Sequence, residues 1–91
     1  MISNMKVVGK GVHLLATGPA KITQVILKSS DKVGCDLHTS TGRHKSVLVV
    51  IGKTTLFSWA RPIILEKDET LLVEMYSESD SLSIDIQEGQ L

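Results

Sequence analysis

The chain has 91 residues and a mass of 9.9 kDa, which is enough for one small domain and excludes a second. Apolar residues make up 42% and charged residues 22%, so the composition is that of a folded globular domain and excludes intrinsic disorder. Ten basic residues balance ten acidic ones, and the longest apolar run, residues 47–51, is far shorter than the roughly 20 residues of a bilayer span. Residues 1–20 lack the apolar stretch of a signal peptide, and Cys35, the single cysteine, cannot form an internal disulfide, so we expect neither membrane insertion nor secretion.

Turn-forming residues recur at intervals of about eight to twelve residues between β-branched runs, which is the spacing of an all-β domain. We therefore expect residues 1–91 to form a single compact β-sandwich, jelly-roll or immunoglobulin-like, with about eight or nine short, mostly antiparallel strands. The first two segments, residues 5–8 and 12–16, are predicted to form a hairpin, because Gly9 and Gly11 supply the positive φ of a tight turn.

The next predicted strands are residues 21–28 and 33–39. In the second of these, apolar side chains occupy every other position from Val33, which predicts that Cys35 is a small core residue. Because Cys35 and His38 then point to opposite faces of the strand, the spacing argues against a zinc site that includes both.

Residues 40–45 are polar and contain a glycine, which predicts an exposed loop. Residues 46–51 are apolar on both faces, so this strand is predicted to be covered on both sides, either in the middle of the sandwich or against another subunit. Residues 54–59 follow as a short strand, and Pro62 can only begin a strand or lie at a sheet edge.

Residues 65–76 contain many helix-forming residues, so a short helix is one interpretation. We prefer a strand, because Leu71, Val73 and Met75 alternate with their neighbours and residues 67–69 make a polar turn. The clearest alternation lies in residues 81–87, which predicts the final strand.

No set of side chains indicates an enzyme. Residues 51–54 imitate the end of a phosphate-binding loop, but Val47 stands where that motif needs a glycine. Glu66, Asp68 and Glu69 are better explained as a solvated turn than as paired catalytic acids. We therefore expect a non-enzyme with no catalytic, cofactor or metal site.

The balanced charge hides an asymmetry along the chain. Residues 1–53 hold eight basic residues against two acids, and residues 54–91 hold two basic residues against eight acids, which gives +6 and −6. One interpretation is a positive and a negative face that associate head to tail, and the other is that the strands of both halves interleave and mix the charges. Specific nucleic-acid binding is disfavoured by the pI of about 6.8 and by only three aromatic residues.

The core is expected to be thin, because 28 residues are Ile, Leu or Val and only three are aromatic. A domain of this size without a disulfide gains from association, so we predict a homo-oligomer or a subunit of a larger assembly. The predicted interface residues are Val47, Val49, Ile51 and Trp59 from the apolar segments, and Arg43, His44, Lys45 and Lys53, which would meet an acidic surface on a neighbouring subunit. The alternative for the basic residues is a solvated hairpin tip.

Residues 20–28 (AKITQVILK), 61–73 (RPIILEKDETLLV) and 81–89 (SLSIDIQEG) resemble strand patterns of small β-sandwich proteins from tailed-bacteriophage particles. The resemblance spans about residues 20–89. It implies a non-enzymatic virion component, assembled in the host cytoplasm, that decorates and cements the head. The alternative is a neck or tail component or a host-glycan-binding module. The implied partners are copies of this chain, the major capsid protein or another virion protein. A glycan is less favoured, and no membrane is expected.

Overall fold

The computed structural model describes residues 2–51, 54–57 and 61–91. Its nine strands are β1 (Ile2–Val8), β2 (Gly11–Thr17), β3 (Ala20–Lys28), β4 (Lys32–Thr39), β5 (Lys45–Ile51), β6 (Thr54–Phe57), β7 (Ile63–Leu65), β8 (Thr70–Met75) and β9 (Ser81–Gly89). Within these residues, the chain has no helix that is long and apolar enough to cross a bilayer.

The strands form two sheets in which every pair is antiparallel. The first sheet has the order β1-β9-β3-β6, with β7 also paired to β3, and the second has the order β2-β8-β4-β5. This order, in which the chain crosses between the two sheets at every connection except β4 to β5 and β6 to β7, is that of a jelly roll. The predicted all-β sandwich is therefore confirmed, in its jelly-roll form.

The predicted first hairpin is wrong, because β1 and β2 lie in different sheets. β1 pairs with β9, and β2 pairs with β8. Gly9 and Gly11 do have positive φ, 88° and 131°. They turn the chain across the sandwich instead of folding it back within one sheet.

The core between the sheets is built from aliphatic side chains at alternate strand positions. In β4, Val33, Cys35 and Leu37 are at most 1% exposed, which confirms the predicted burial of Cys35. The same period-two burial occurs at Leu71, Val73 and Met75 of β8 and at Leu82, Ile84 and Ile86 of β9. Residues 70–75 thus form the predicted strand and not a helix, and Pro62 directly precedes β7 as expected.

Strands from the acidic half of the chain lie between strands from the basic half in both sheets. β9 lies between β1 and β3, and β8 lies between β2 and β4. Lys28 Nζ accordingly lies 3.6 Å from Asp85 Oδ2 across two of these strands. The fold therefore interleaves the +6 and −6 halves, which is the second of the two interpretations of the charge asymmetry.

The apolar strand β5 lies at the end of the second sheet, where β4 is its hydrogen-bonded neighbour among the described strands. A place in the middle of the sandwich is therefore wrong for this strand. The reason is that apolar composition predicts cover on both faces but cannot say whether that cover comes from the same chain. The other interpretation, cover by another subunit, stays a prediction.

Burial gives the Cys35 thiol a low reactivity. Removal of the thiol from water raises the pKa of Cys35 from 9.0 to about 11. The negative charges of Asp36 and Asp80 make a smaller contribution in the same direction. A rise of two units means about a hundredfold less thiolate at pH 8. We expect Ellman's reagent to modify the native protein at least about a hundredfold more slowly than the protein unfolded in urea. Equal rates in the two states would contradict this placement of Cys35.

Candidate interaction surface

Two turns at one end of the sandwich meet around the carboxylate of Glu69. Residues 40–44 connect β4 to β5, and residues 66–69 connect β7 to β8. In the second turn, the Glu69 N–H donates to the Glu66 carbonyl at 3.0 Å, and Asp68 adopts a φ of 66°. This local geometry turns the Glu69 side chain inward, toward the first turn.

The Glu69 side chain is only 2% exposed and accepts hydrogen bonds from three residues. The donors are Arg43 Nε at 3.1 Å, Arg43 Nη2 at 2.5 Å, the Thr41 hydroxyl and the Glu66 N–H at 2.9 Å. These bonds, with Arg43 the strongest influence, lower the pKa of Glu69 from 4.5 to about 2. Glu69 is therefore an ionised, hydrogen-bonded group that joins the two turns.

The sequence-based interpretation of this turn as solvated is wrong for Glu69 and right for its neighbours. Glu66 and Asp68 are exposed, whereas Glu69 is buried. Arg43 makes a further hydrogen bond within the chain, because its Nη2 donates to the Ile64 carbonyl at 2.9 Å. The pairing with Glu69 raises the pKa of Arg43 further above its usual value.

The structure gives the predicted basic interface residues different surroundings. Arg43 pairs within the chain, and His44 is half-buried, with its N–H donating to Thr39 Oγ1 at 3.3 Å. Lys45 is exposed and begins β5, in register with His38. Arg43 and Lys45 are both exposed, and Arg43 is already paired within the chain, so the role of these residues in an interface stays a prediction.

The predicted apolar interface residues on β5 follow Lys45 along the sheet edge. Val47, Val49 and Ile51 are in register with Asp36, Gly34 and Lys32 of β4, respectively. Lys53 and Trp59 lie outside the described residues. The predicted interface therefore includes an edge strand, which is the type of strand that can accept an additional strand from a neighbouring chain.

An aliphatic surface that the sequence analysis missed lies on the outer face of the second sheet. Val12 and Leu14 of β2 are 55% and 57% exposed. Leu14 is in register with Leu72 of β8, which is partly buried. The sequence of residues 11–17 (GVHLLAT) could have indicated this exposed aliphatic surface. Apolar side chains occupy both faces of this strand, as they do in β5.

The same outer face carries a covered carboxylate. The Tyr76 hydroxyl donates to Asp36 Oδ2, and Asp36 is only 7% exposed although the alternation in β4 places it on the outer face. This hydrogen bond and burial raise the pKa of Tyr76 to about 12. Tyr76 is therefore a neutral donor at physiological pH, and its ring stays 52% exposed.

Two open grooves lie away from these groups. One of about 450 Å³ is lined by residues 19–21 and 88–91, and one of about 340 Å³ is lined by residues 29–33 and 79–81. Neither groove is lined by a described group whose pKa is displaced. These groups are Cys35, Arg43, Glu69 and Tyr76. In the described part of the chain, no three His, Cys, Asp or Glu side chains cluster as metal ligands. The displaced pKa values arise from burial and from hydrogen bonds within the chain.

Arg43 and Glu69 therefore join turns, Asp36 and Tyr76 join strands, and Lys45, Val12 and Leu14 are exposed. No family model, curated protein or solved structure matches this chain.

Proposed function

We propose that the chain is a non-enzymatic structural protein of a bacteriophage particle, which binds the major capsid protein on the head surface and stabilises the shell. The strand patterns that resemble phage particle proteins support this proposal. Residues 20–28, 61–73 and 81–89 fall on β3, on β7 with β8, and on β9 of one jelly roll. Jelly rolls are common in viral capsid domains, but one fold serves many functions, so the argument also needs a surface.

The observation that carries the proposal is the edge strand β5 with exposed Lys45 at its start. An edge strand offers backbone donors and acceptors to a neighbouring chain, and Lys45 adds a positive charge that an acidic capsid surface would attract. A head presents many identical binding positions. Modest contacts of this kind are sufficient there, because neighbouring copies can reinforce one another.

The second candidate is a glycan-binding module of the neck or tail. The half-exposed ring of Tyr76 favours it, because aromatic rings pack against sugar rings and its hydroxyl is already held by Asp36. Jelly rolls also include lectin domains. We place this candidate second, because the aliphatic residues Val12 and Leu14 share the face with Tyr76 and fit a protein partner better.

Charge reversal at the start of β5 tests head binding. We expect Lys45→Glu to reduce co-sedimentation with empty heads by at least about tenfold at moderate salt. The heads would be those of a tailed phage whose genome encodes this chain. Arg43 is left intact, because its replacement would remove the main partner of buried Glu69.

Lys6→Glu is the matched control, because Lys6 is an exposed lysine on β1 of the other sheet. It makes the same charge change at a distant position and should leave head occupancy unchanged. Equal occupancy by the wild type and Lys45→Glu would overturn the role of β5. A wild type that does not sediment with heads would overturn the head-decoration proposal itself.

A further inference from the structure

Two edge strands lie on the same side of the sandwich. Short connections join β1 to β2, β3 to β4 and β8 to β9, and each crosses from one sheet to the other. The sheets therefore face each other with β1 over β2, β9 over β8 and β3 over β4. Because β1 pairs with β9 and β2 pairs with β8, and neither has a second neighbour among the described strands, both sheets end here. We name this part of the surface the β1–β2 side.

The β1–β2 side also carries apolar side chains that the chain itself covers incompletely. Val8, Val12 and Leu14 are each more than half exposed, and they are three of the six large apolar side chains exposed in the described part of the chain. Met5 of β1 and Ala16 of β2 pack against the core but are only partly buried. Edge strands with apolar side chains of this kind can accept strands from another chain.

A second copy of the chain matches both edges at once. A partner must offer two edge strands with the same separation as β1 and β2, which is about 10 Å for packed sheets. A second copy meets this condition because it has the same two edges. A two-fold axis perpendicular to the sheets places β1 against β1 and β2 against β2 of the partner subunit, and both pairs are then antiparallel.

The lengths of the two strands indicate where this axis passes. β1 and β2 both have seven residues and meet at one turn, so their middle residues, Met5 and Leu14, lie at similar distances from that turn. An axis beside these two residues pairs the largest part of both strands. Lys6 then faces Asn4 of the partner subunit, whereas an axis one residue away, at Lys6, would set two lysines against each other.

We infer that the chain forms a two-fold dimer through its β1–β2 side, in which both sheets continue from one copy into the other. Leu14 of each copy faces Leu14 of the partner subunit, and Met5 faces Met5. Seven-residue strands and two packed sheets give a total buried area of roughly 1,000 Å², the lower limit of a specific interface. We therefore expect a dissociation constant on the order of micromolar.

The dimer does not depend on the proposed head contact. β5, the strand proposed to contact the head, lies at the opposite end of its sheet from β2. The dimer is measured without heads, and head binding is measured by co-sedimentation, so that failure of one leaves the other to be judged by its own experiment.

The first test measures the molar mass of the full chain by light scattering and sedimentation velocity. The wild type should reach the dimer mass by about 100 µM. Leu14→Asp and Leu14→Lys should each weaken self-association at least about tenfold, because each sets two like charges opposite one another at the axis. A wild type that stays monomeric at this concentration, or variants that associate unchanged, would overturn the inference.

Mixing the two variants tests the position of the axis. In a mixed dimer, the carboxylate introduced by Leu14→Asp faces the ammonium introduced by Leu14→Lys. Mixed dimers should therefore form at concentrations at which neither variant dimerises alone. Their absence would overturn the pairing of Leu14 with itself across a two-fold axis.

Ile64→Asp is the matched control, because Ile64 is 47% exposed and lies on β7, which pairs with β3 away from the β1–β2 side. It introduces the same carboxylate at a similarly exposed aliphatic position and should leave dimerisation unchanged. Equal weakening by Ile64→Asp would contradict the choice of this side. Unfolding curves for each variant separate lost dimerisation from lost folding.

Discussion

Gly18→Ala is expected to lower the free energy of unfolding by at least about 3 kcal/mol. A Cβ at this position would overlap the carbonyl oxygen of Glu66 and lie 2.8 Å from its carbonyl carbon and 2.9 Å from the carbonyl oxygen of Leu65. These are backbone atoms, so no side chain can rotate away to make room. The two segments would have to separate, which would break the 2.7 Å hydrogen bond from the Gly18 N–H to the Glu69 carbonyl.

Gly34→Ala is the matched control for this substitution. A Cβ at Gly34, within β4, meets no atom of the described part of the chain within 4 Å. Its effect should stay within about 1 kcal/mol. The comparison needs urea unfolding followed by circular dichroism for both variants. If Gly18→Ala proves as stable as Gly34→Ala, the close approach of residues 18 and 66 is not a constraint on the fold.

Glu69→Gln is expected to destabilise the protein at neutral pH and to make its stability less sensitive to acid. The folded protein holds the pKa of Glu69 at about 2, below its usual 4.5. Between these values the unfolded chain binds more protons at this residue than the folded protein does. The stability due to the carboxylate is therefore complete above pH 4.5 and is lost as the pH falls toward 2. Glutamine does not titrate and cannot show this loss.

The measurement is the free energy of unfolding of wild type and Glu69→Gln across the range from neutral pH to pH 2. The difference between them should be largest near neutrality and should narrow as the pH falls through 4.5. Glu66→Gln makes the same chemical change at an exposed position of the same turn and should preserve the acid sensitivity. A difference between wild type and Glu69→Gln that does not vary with pH would rule out a charge-dependent contribution.

The features that were predictable from sequence are those that depend on neighbouring residues. Period-two burial in β4, β8 and β9 follows from alternation within each strand, and so the core positions of Cys35, Val73 and Ile84 were correct. The predicted turn at residues 67–69 was also correct, because its polar residues favour a turn without help from the rest of the chain. Local chemistry was sufficient to predict a β-sandwich.

The errors concern partners that are distant in the sequence. Gly9 and Gly11 predict a turn, but the turn could either fold the chain back within one sheet or carry it across to the other. The pairing of β1 with β9 decides for the crossing. Burial of Glu69 depends on Arg43, which is 26 residues away. The exposed face of β2 was missed for a similar reason, because the register shift between Leu14 and Ala16 interrupts the alternation.

The interleaving of the two halves of the chain also has a consequence for how the protein is made. None of the strands β1 to β4 pairs with another of these four, and the described partners of β1 and β2 are β9 and β8. While the ribosome is still adding residues before position 70, β1 and β2 therefore have no native strand to join. Completion of both sheets waits for β8 and β9, and the search for such remote pairings makes folding slow for a domain of this size.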